Sequence, residues 1–272
     1  MSSVSSSSAE ILNSSANLLN IACANARSLV DKIDSLITLF DENELHIALL
    51  TETWLAPKHC PPRVMSDLTI GANLNFIRRD RGSRGGGVAI CYNPTKIRMT
   101  KFNFHNPSPR TEIVCATGNC SATKRKIAAI SIYLPPNLTA GELATAIQTL
   151  SDCVDQIVTK FADVLIVVGG DFNNKDLSAF TTVHASIKPV NAGATRRGAS
   201  LDEIYTNMCE RIEQKCIQKP LSKPDGTQSD HDIIAVSFKL PKYPKSSSST
   251  FSFRPITAEG MEKFSALLVP YD

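Results

Sequence analysis

Apolar and polar positions alternate along the middle of this chain in a way that separates strands from helices. Leu18 to Ala24 is an apolar run of strand length. Val30, Ile33, Leu36, Ile37 and Phe40 then recur at helical spacing and predict an amphipathic helix. His46 to Thr51 is a second short apolar run that ends in polar residues. Phe76 to Arg79 and Val88 to Tyr92 flank the turn-forming sequence RGSRGGG, which predicts a hairpin. Ile113 to Thr117 and Ile127 to Leu134 add two strands. Thr139 and Glu142 have the spacing of a capping box, opening a helix whose apolar face is Leu143, Ile147, Leu150, Val154, Ile157 and Phe161. Val164 to Val168 (VLIVV) has no polar face, so it predicts a strand covered on both sides. Asp202 to Thr206 and Asp232 to Phe238 are the last strands expected. Hairpins mixed with helical crossovers predict an α/β protein of stacked sheets covered by helices.

The flanks are different in kind. Residues 1–16 are rich in serine and read as a flexible leader. The stretch PKYPKSSSSTFS, from Pro241 to Ser252, reads as a linker, and Thr257 after it would cap a short helix. The expected organisation is a leader over 1–16, a domain over 17–240, and a linker with a short helix over 241–272. No apolar run approaches the roughly 18 residues that span a bilayer, and the N-terminus lacks the features of a secretory signal. No membrane association is expected. Eight cysteines without a CxxC pair suggest reduced thiols in an intracellular protein.

Charge refines this picture. The chain of 272 residues carries 29 Lys+Arg against 26 Asp+Glu, a formal balance of +3. Residues 61–130 hold 12 basic and 3 acidic side chains, whereas the remainder holds 17 and 23. A basic segment of +9 inside an acidic remainder of −6 is suited to phosphate contacts, which the near-neutral total conceals.

The candidate chemistry lies where the strands end. The first strand runs into Asn25 and the second into Glu52; Tyr133 stands near the end of another. VLIVV runs into Gly-Gly-Asp171-Phe-Asn173, Asp202 opens a late strand, and Ser229-Asp230-His231 precedes the last. Glu52, Asp171, Asn173, Asp230 and Asn25 offer hard oxygen ligands of the kind that suit Mg²⁺ or Mn²⁺ rather than zinc. His231 is placed beside such a group, and Asp202 would orient its ring. Taken singly, GDFN or SDH is an ordinary turn and Glu52 a solvated strand end. Their joint occurrence at one edge of a sheet is the informative feature.

These residues carry a family resemblance. Asn25 after a strand, Thr51-Glu52-Thr53-Trp54, Tyr133 with Pro135-Pro136, Gly170-Asp171-Phe172-Asn173, Ser200-Leu201-Asp202 and Ser229-Asp230-His231 resemble the ordered motifs of the endonuclease/exonuclease/phosphatase superfamily. ARSL, LTETWL, RGGGVAI, LDEIYTN and SDHDII resemble, more narrowly, the apurinic-type endonuclease of non-LTR (LINE) retrotransposons. FRPIT after the linker resembles the bridge toward a reverse transcriptase in such polyproteins. The resemblance implies a DNase I-like fold, two stacked mixed β-sheets flanked by helices in a four-layer α/β sandwich. It also implies Mg²⁺-dependent nicking of one strand of double-stranded DNA, with a 3′-hydroxyl that primes reverse transcription.

Carried over by position, Glu52, Asn25, Asp171 and Asp230 would hold metal, and His231, Asp171, Asn173, Asp202 and Tyr133 would be catalytic. Whether His231 or Asp171 takes the proton from water stays open. Arg78, Arg79, Arg81, Arg84, Thr195, Arg196 and Arg197 would contact DNA, and Lys124, Arg125 and Lys126 would add phosphate contacts. Only six residues separate Thr195 from Asp202, so a DNA-probing loop there would be short and target choice loose or shape-based. Element RNA and the reverse transcriptase would join only through the full polyprotein, the isolated domain would be a monomer, and action would be nuclear. A repair apurinic endonuclease, a related phosphatase, or a non-catalytic scaffold are the alternatives.

Overall fold

A computed structural model describes residues 11–13, 17–56, 60–61, 65–67, 69–82 and 85–241. The strands are β1 (Leu18–Asn25), β2 (Ile47–Thr51), β3 (Asn75–Arg79), β4 (Val88–Tyr92), β5 (Ile97–Lys101), β6 (Glu112–Cys120), β7 (Lys126–Tyr133), β8 (Leu165–Asp171), β9 (Lys188–Pro189), β10 (Asp202–Thr206), β11 (Ile212–Gln218) and β12 (Ile233–Lys239). They form two six-stranded mixed sheets, ordered β11-β12-β1-β2-β4-β3 and β5-β6-β7-β8-β10-β9. The helices are α1 (Ile33–Glu42), α2 (Ala140–Lys160) and the short α3 (Ser178–Val183).

Alternation along the strands builds the layers. In β1 and β2, Leu19, Ile21, Cys23, Ile47 and Leu49 point between the sheets and meet Val114, Ile127, Ala129, Leu165, Val167 and Ile204 from the other sheet. Their neighbours Ala22, Ala24, Ala48 and Leu50 point outward, where Leu36, Leu39 and Phe40 of α1 cover them. Leu150, Val154 and Ile157 of α2 cover Ala128, Ile130, Ile166 and Val168 on the far side. Because both faces are covered, an uninterrupted apolar run such as VLIVV is what β8 requires. The stacked, helix-flanked sandwich expected from the sequence is therefore present.

Local sequence explains most boundaries. Thr139 caps α2 with its side chain and Glu142 answers to the cap's own backbone, completing the expected box. Val30 departs from the predicted helical face. It lies in a 3₁₀ turn (Val30–Lys32) ahead of α1 and is exposed. Gly170 is required where β8 passes β7, since a Cβ there would lie 1.7 Å from the Ile132 carbonyl oxygen.

At the N-terminal flank, Leu12 is buried in the outer core of the first sheet, and its N–H donates to Asn43 Oδ1 at 3.1 Å. The described residues form one compact unit. The helix expected after Thr257 lies outside the described residues, as does Arg84. Among the described residues, no helix is long and apolar enough to cross a membrane.

Candidate active site

The strand directions bring the polar residues to one edge. β1 and β2 run parallel and end together at Asn25 and Thr51, whereas β4 runs back from Val88 beside Thr51. In the other sheet Tyr133, Asp171 and Asp202 stand in register across β7, β8 and β10. Asn25 Nδ2 donates to Asp171 Oδ2 at 2.9 Å, a direct hydrogen bond from one sheet to the other. Asp171 Oδ1 accepts from the backbone N–H of Asn173 at 3.0 Å. Asn173 adopts φ 49° and donates its side-chain amide to Leu134 O at 2.9 Å. His231 Nδ1 lies 2.6 Å from Asp202 Oδ2, and both residues are buried. Ser229, just upstream, donates to the backbone oxygen of Asn25 at 2.7 Å and ties this turn to β1.

Glu52 stands on the other flank of this group. Its φ of 47° is a left-handed conformation that non-glycine residues seldom adopt, held by Ser28 N–H donating to its carbonyl at 3.0 Å. Tyr133 hydrogen-bonds the Glu52 side chain. Burial, the Glu52 and Asp171 charges and that hydrogen bond push the phenol well above its ordinary range, against the pull of Arg81. Tyr133 is therefore a protonated donor at any physiological pH. Glu112 was missed in the sequence, though an acidic residue opening a strand was the available signal. It faces Tyr133 in register, accepts from Gly87 N–H and binds the Arg81 guanidinium, which lies 5.7 Å from the centre of the Tyr133 ring.

The proposed DNA contacts fare unevenly. Arg81 is engaged by Glu112. Arg78, expected to contact phosphate, is turned inward onto Asp80 at 3.2 Å and onto the Cys60 carbonyl oxygen. Thr195 is fully buried, and its hydroxyl accepts the backbone N–H groups of Leu201 and Asp202 at 3.2 and 3.1 Å. Its work is to hold the start of β10, and it offers no surface to DNA. Arg79 is half-buried beside Lys101 and Phe104. Arg196 pairs with Asp230, and Arg197 is exposed at the tip of a tight hairpin with φ 43°. Lys126 opens β7 and Tyr133 closes it, so Lys124, Arg125 and Lys126 stand at the edge away from the site. There Arg125 pairs with Asp163 at 2.6 Å and Lys126 lies over the Phe161 ring.

Asp171, Asp202 and His231 each offer one ligand atom, and these atoms lie within 4.8 Å of one another. Burial and the Asp202 charge raise Asp171 to about 7, although His231, Asn173 N–H and Asn25 oppose the rise. Burial alone would lower His231, but the Asp202 hydrogen bond and charge, with Asp171 and Asp230, raise it above its usual value. Asp202 Oδ1 is buried without a protein partner. Two buried carboxylates, one of them with an orphaned oxygen, are a donor set that suits a hard divalent cation, so the residues fit one. Glu52 and Asp230, also expected as ligands, lie outside this group. Burial works to raise Asp230, but the hydrogen bond and charge of Arg27 and the charges of Arg196 and His231 win and hold it below the ordinary range.

No protein-family model and no curated protein sequence matches the chain. Solved structures do. An endonuclease/exonuclease/phosphatase from Bacteroides vulgatus is 16% identical with a TM-score of 0.61, over 82% of this chain and 99% of that one. This chain has the endonuclease/exonuclease/phosphatase fold. D. rerio TDP2, complexed with a single-strand DNA product, is similar over 81% of this chain and 98% of its own, at 14% identity and a TM-score of 0.58. The endonuclease domain of TRAS1, a telomere-specific non-LTR retrotransposon, is similar over 83% and 100%, at 14% identity and 0.57. The endonuclease/exonuclease/phosphatase architecture expected from the motifs is thus shared by structures with little sequence in common.

Proposed function

We propose that the chain is a divalent-metal-dependent phosphodiesterase that nicks one strand of double-stranded DNA, leaving 5′-phosphate and 3′-hydroxyl ends. The observation that carries this reading is the buried Asp171–Asp202–His231 group, flanked at the same edge by Asn173, Tyr133 and Glu52. His231 has Nδ1 fixed by Asp202, which leaves Nε2 to take the proton from attacking water. The second amide N–H of Asn173, and the phenol of Tyr133 once it turns from Glu52, would donate to the non-bridging phosphate oxygens as charge develops on them. Asp171 and Asp202, with Glu52 and Asn25 nearby, would hold Mg²⁺ or Mn²⁺, which supplies positive charge to the phosphate and the leaving oxygen. The LTETWL, LDEIYTN and SDHDII motifs and the TRAS1 likeness support the narrower reading of target nicking for retrotransposition, where the new 3′-hydroxyl primes reverse transcription.

Relaxation of supercoiled plasmid tests the reading. With Mg²⁺ the wild type yields nicked circles, and EDTA stops the reaction. His231→Ala and Asp171→Ala each cut the rate by at least ~10² while circular dichroism stays native. Wild-type-like nicking by either variant, or nicking that survives EDTA, refutes the assignment. Faster cleavage of an abasic-site duplex than of intact plasmid would favour the repair alternative.

A further inference from the structure

Asp230 is held in an unusual way. Arg27 Nη1 lies 2.8 Å and Arg196 Nη2 2.5 Å from the same carboxylate oxygen, Oδ2. Two guanidinium groups on one carboxylate leave one positive charge uncompensated. The fork of Arg196 is only partly used, since its Nε–H is buried without a partner, as is Asp230 Oδ1. The trio is also reachable from solvent, with side-chain exposures of 46% for Arg27, 34% for Arg196 and 25% for Asp230.

Both arginines are carried on anchored backbone. The N–H of Arg27 donates to Asn25 Oδ1 at 3.1 Å, and the buried Lys32 ammonium donates to the carbonyls of Ala26 and Arg27 at 2.6 and 3.1 Å. Arg196 bridges Ala199 across the tight turn, and Thr195 O accepts from Asp232 N–H at 2.7 Å. Arg27 follows β1 of one sheet, and Arg196 precedes β10 of the other. Asp230 is the residue before His231.

We propose that Arg27 and Arg196 form a seat for one backbone phosphate of the nucleic-acid strand, and that Asp230 fills the seat as an internal substitute when no strand is present. The inference rests on the nuclease reading and deepens it. A phosphodiester presents two charged oxygens, matching the fork donors that a single carboxylate oxygen leaves unused. The phosphate held there neighbours the one attacked beside His231. Asp230 then acts by competing with the strand for the two guanidinium groups.

Equilibrium binding of a fluorescent duplex, read by anisotropy in EDTA across a salt series, tests this without cleavage. Arg27→Ala and Arg196→Ala should each reduce the slope of log K against log salt by about 0.9, the loss of one phosphate contact. Asp230→Asn should tighten binding about two- to fivefold, as expected when a partly exposed competing ion pair is removed. That gain should vanish in Arg27→Ala/Asp230→Asn. Unchanged slopes, or Asp230→Asn binding no better than wild type, overturn the proposal. If Asp230→Asn does not fold, the Arg27→Ala slope decides alone, because that side chain is half-exposed. A wild type that binds duplex but never nicks plasmid with Mg²⁺ sinks the nuclease reading while the slopes still judge the seat. A wild type that binds no duplex sinks both.

Discussion

Removing the charge of Asp171 should change how stability depends on pH, by an amount the structure sets. In the folded chain its carboxyl is raised from 3.8 to about 7 by burial and by Asp202. The folded state then holds this proton more tightly than the unfolded chain does. The stabilisation is complete below about pH 4 and is lost as pH rises through about 7. At about 1.4 kcal/mol per pH unit this corresponds to on the order of 4 kcal/mol in all, of which roughly 2–3 falls between pH 5 and 8. His231, also raised, acts in the same direction. His46 acts in the opposite one. Burial holds it at about 4, so it adds stability as pH climbs toward 6.5. The quantity to read is therefore the urea unfolding free energy of wild type minus that of Asp171→Asn, in EDTA, from pH 5 to 8. That difference should fall by about 2–3 kcal/mol. Added Mg²⁺ or Mn²⁺ should offset the fall at pH 8 and do little at pH 5, where the carboxyl keeps its proton. A difference that stays flat within ~0.5 kcal/mol would refute the account of the buried pair.

Three further expectations concern the frame of the fold. Gly170→Ala would place a Cβ 1.7 Å from Ile132 O, so β7 and β8 must move apart; a loss of about 3 kcal/mol or more in urea is expected, with nicking reduced because Asp171 is next in the chain. Gly141→Ala in α2 meets nothing within 4 Å and should change stability by no more than about 1 kcal/mol, in the favourable direction. Thr139→Ala removes the side-chain half of the capping box, while the backbone N–H at that position still donates to Glu142, and should cost about 1 kcal/mol in urea.

The strands nearest the site were the easiest to read, and for one reason. β1, β2 and β8 are covered on both faces, so their apolar runs are uninterrupted and the first polar residue marks where each emerges. Edge strands carry no such mark. β11 (IEQKCIQ) exposes alternate side chains and β5 (IRMTK) has only two buried ones, so neither stands out from a loop. Side-chain partnership was legible where a motif fixed both members, as for Asp202 and His231. It was hidden where the partner comes from distant sequence. Nothing local says that Arg81 will meet Glu112 or Arg78 fold back on Cys60, so the basic run shows in the sequence without its partners.

The pairing of β1 with β12 has a consequence for how the module is carried. Leu18 lies opposite Lys239, and Leu240 N–H donates to Asn17 O at 2.9 Å, so the chain enters and leaves the sandwich at neighbouring points. β1 then needs seven residue steps to reach Asn25, a distance of ~23 Å at about 3.3 Å per residue. Both tether points are thus at the rear of the working edge. A short splice between Asn17 and Leu240 would let the chain be reopened at a surface turn with the edge that carries Asn25 undisturbed.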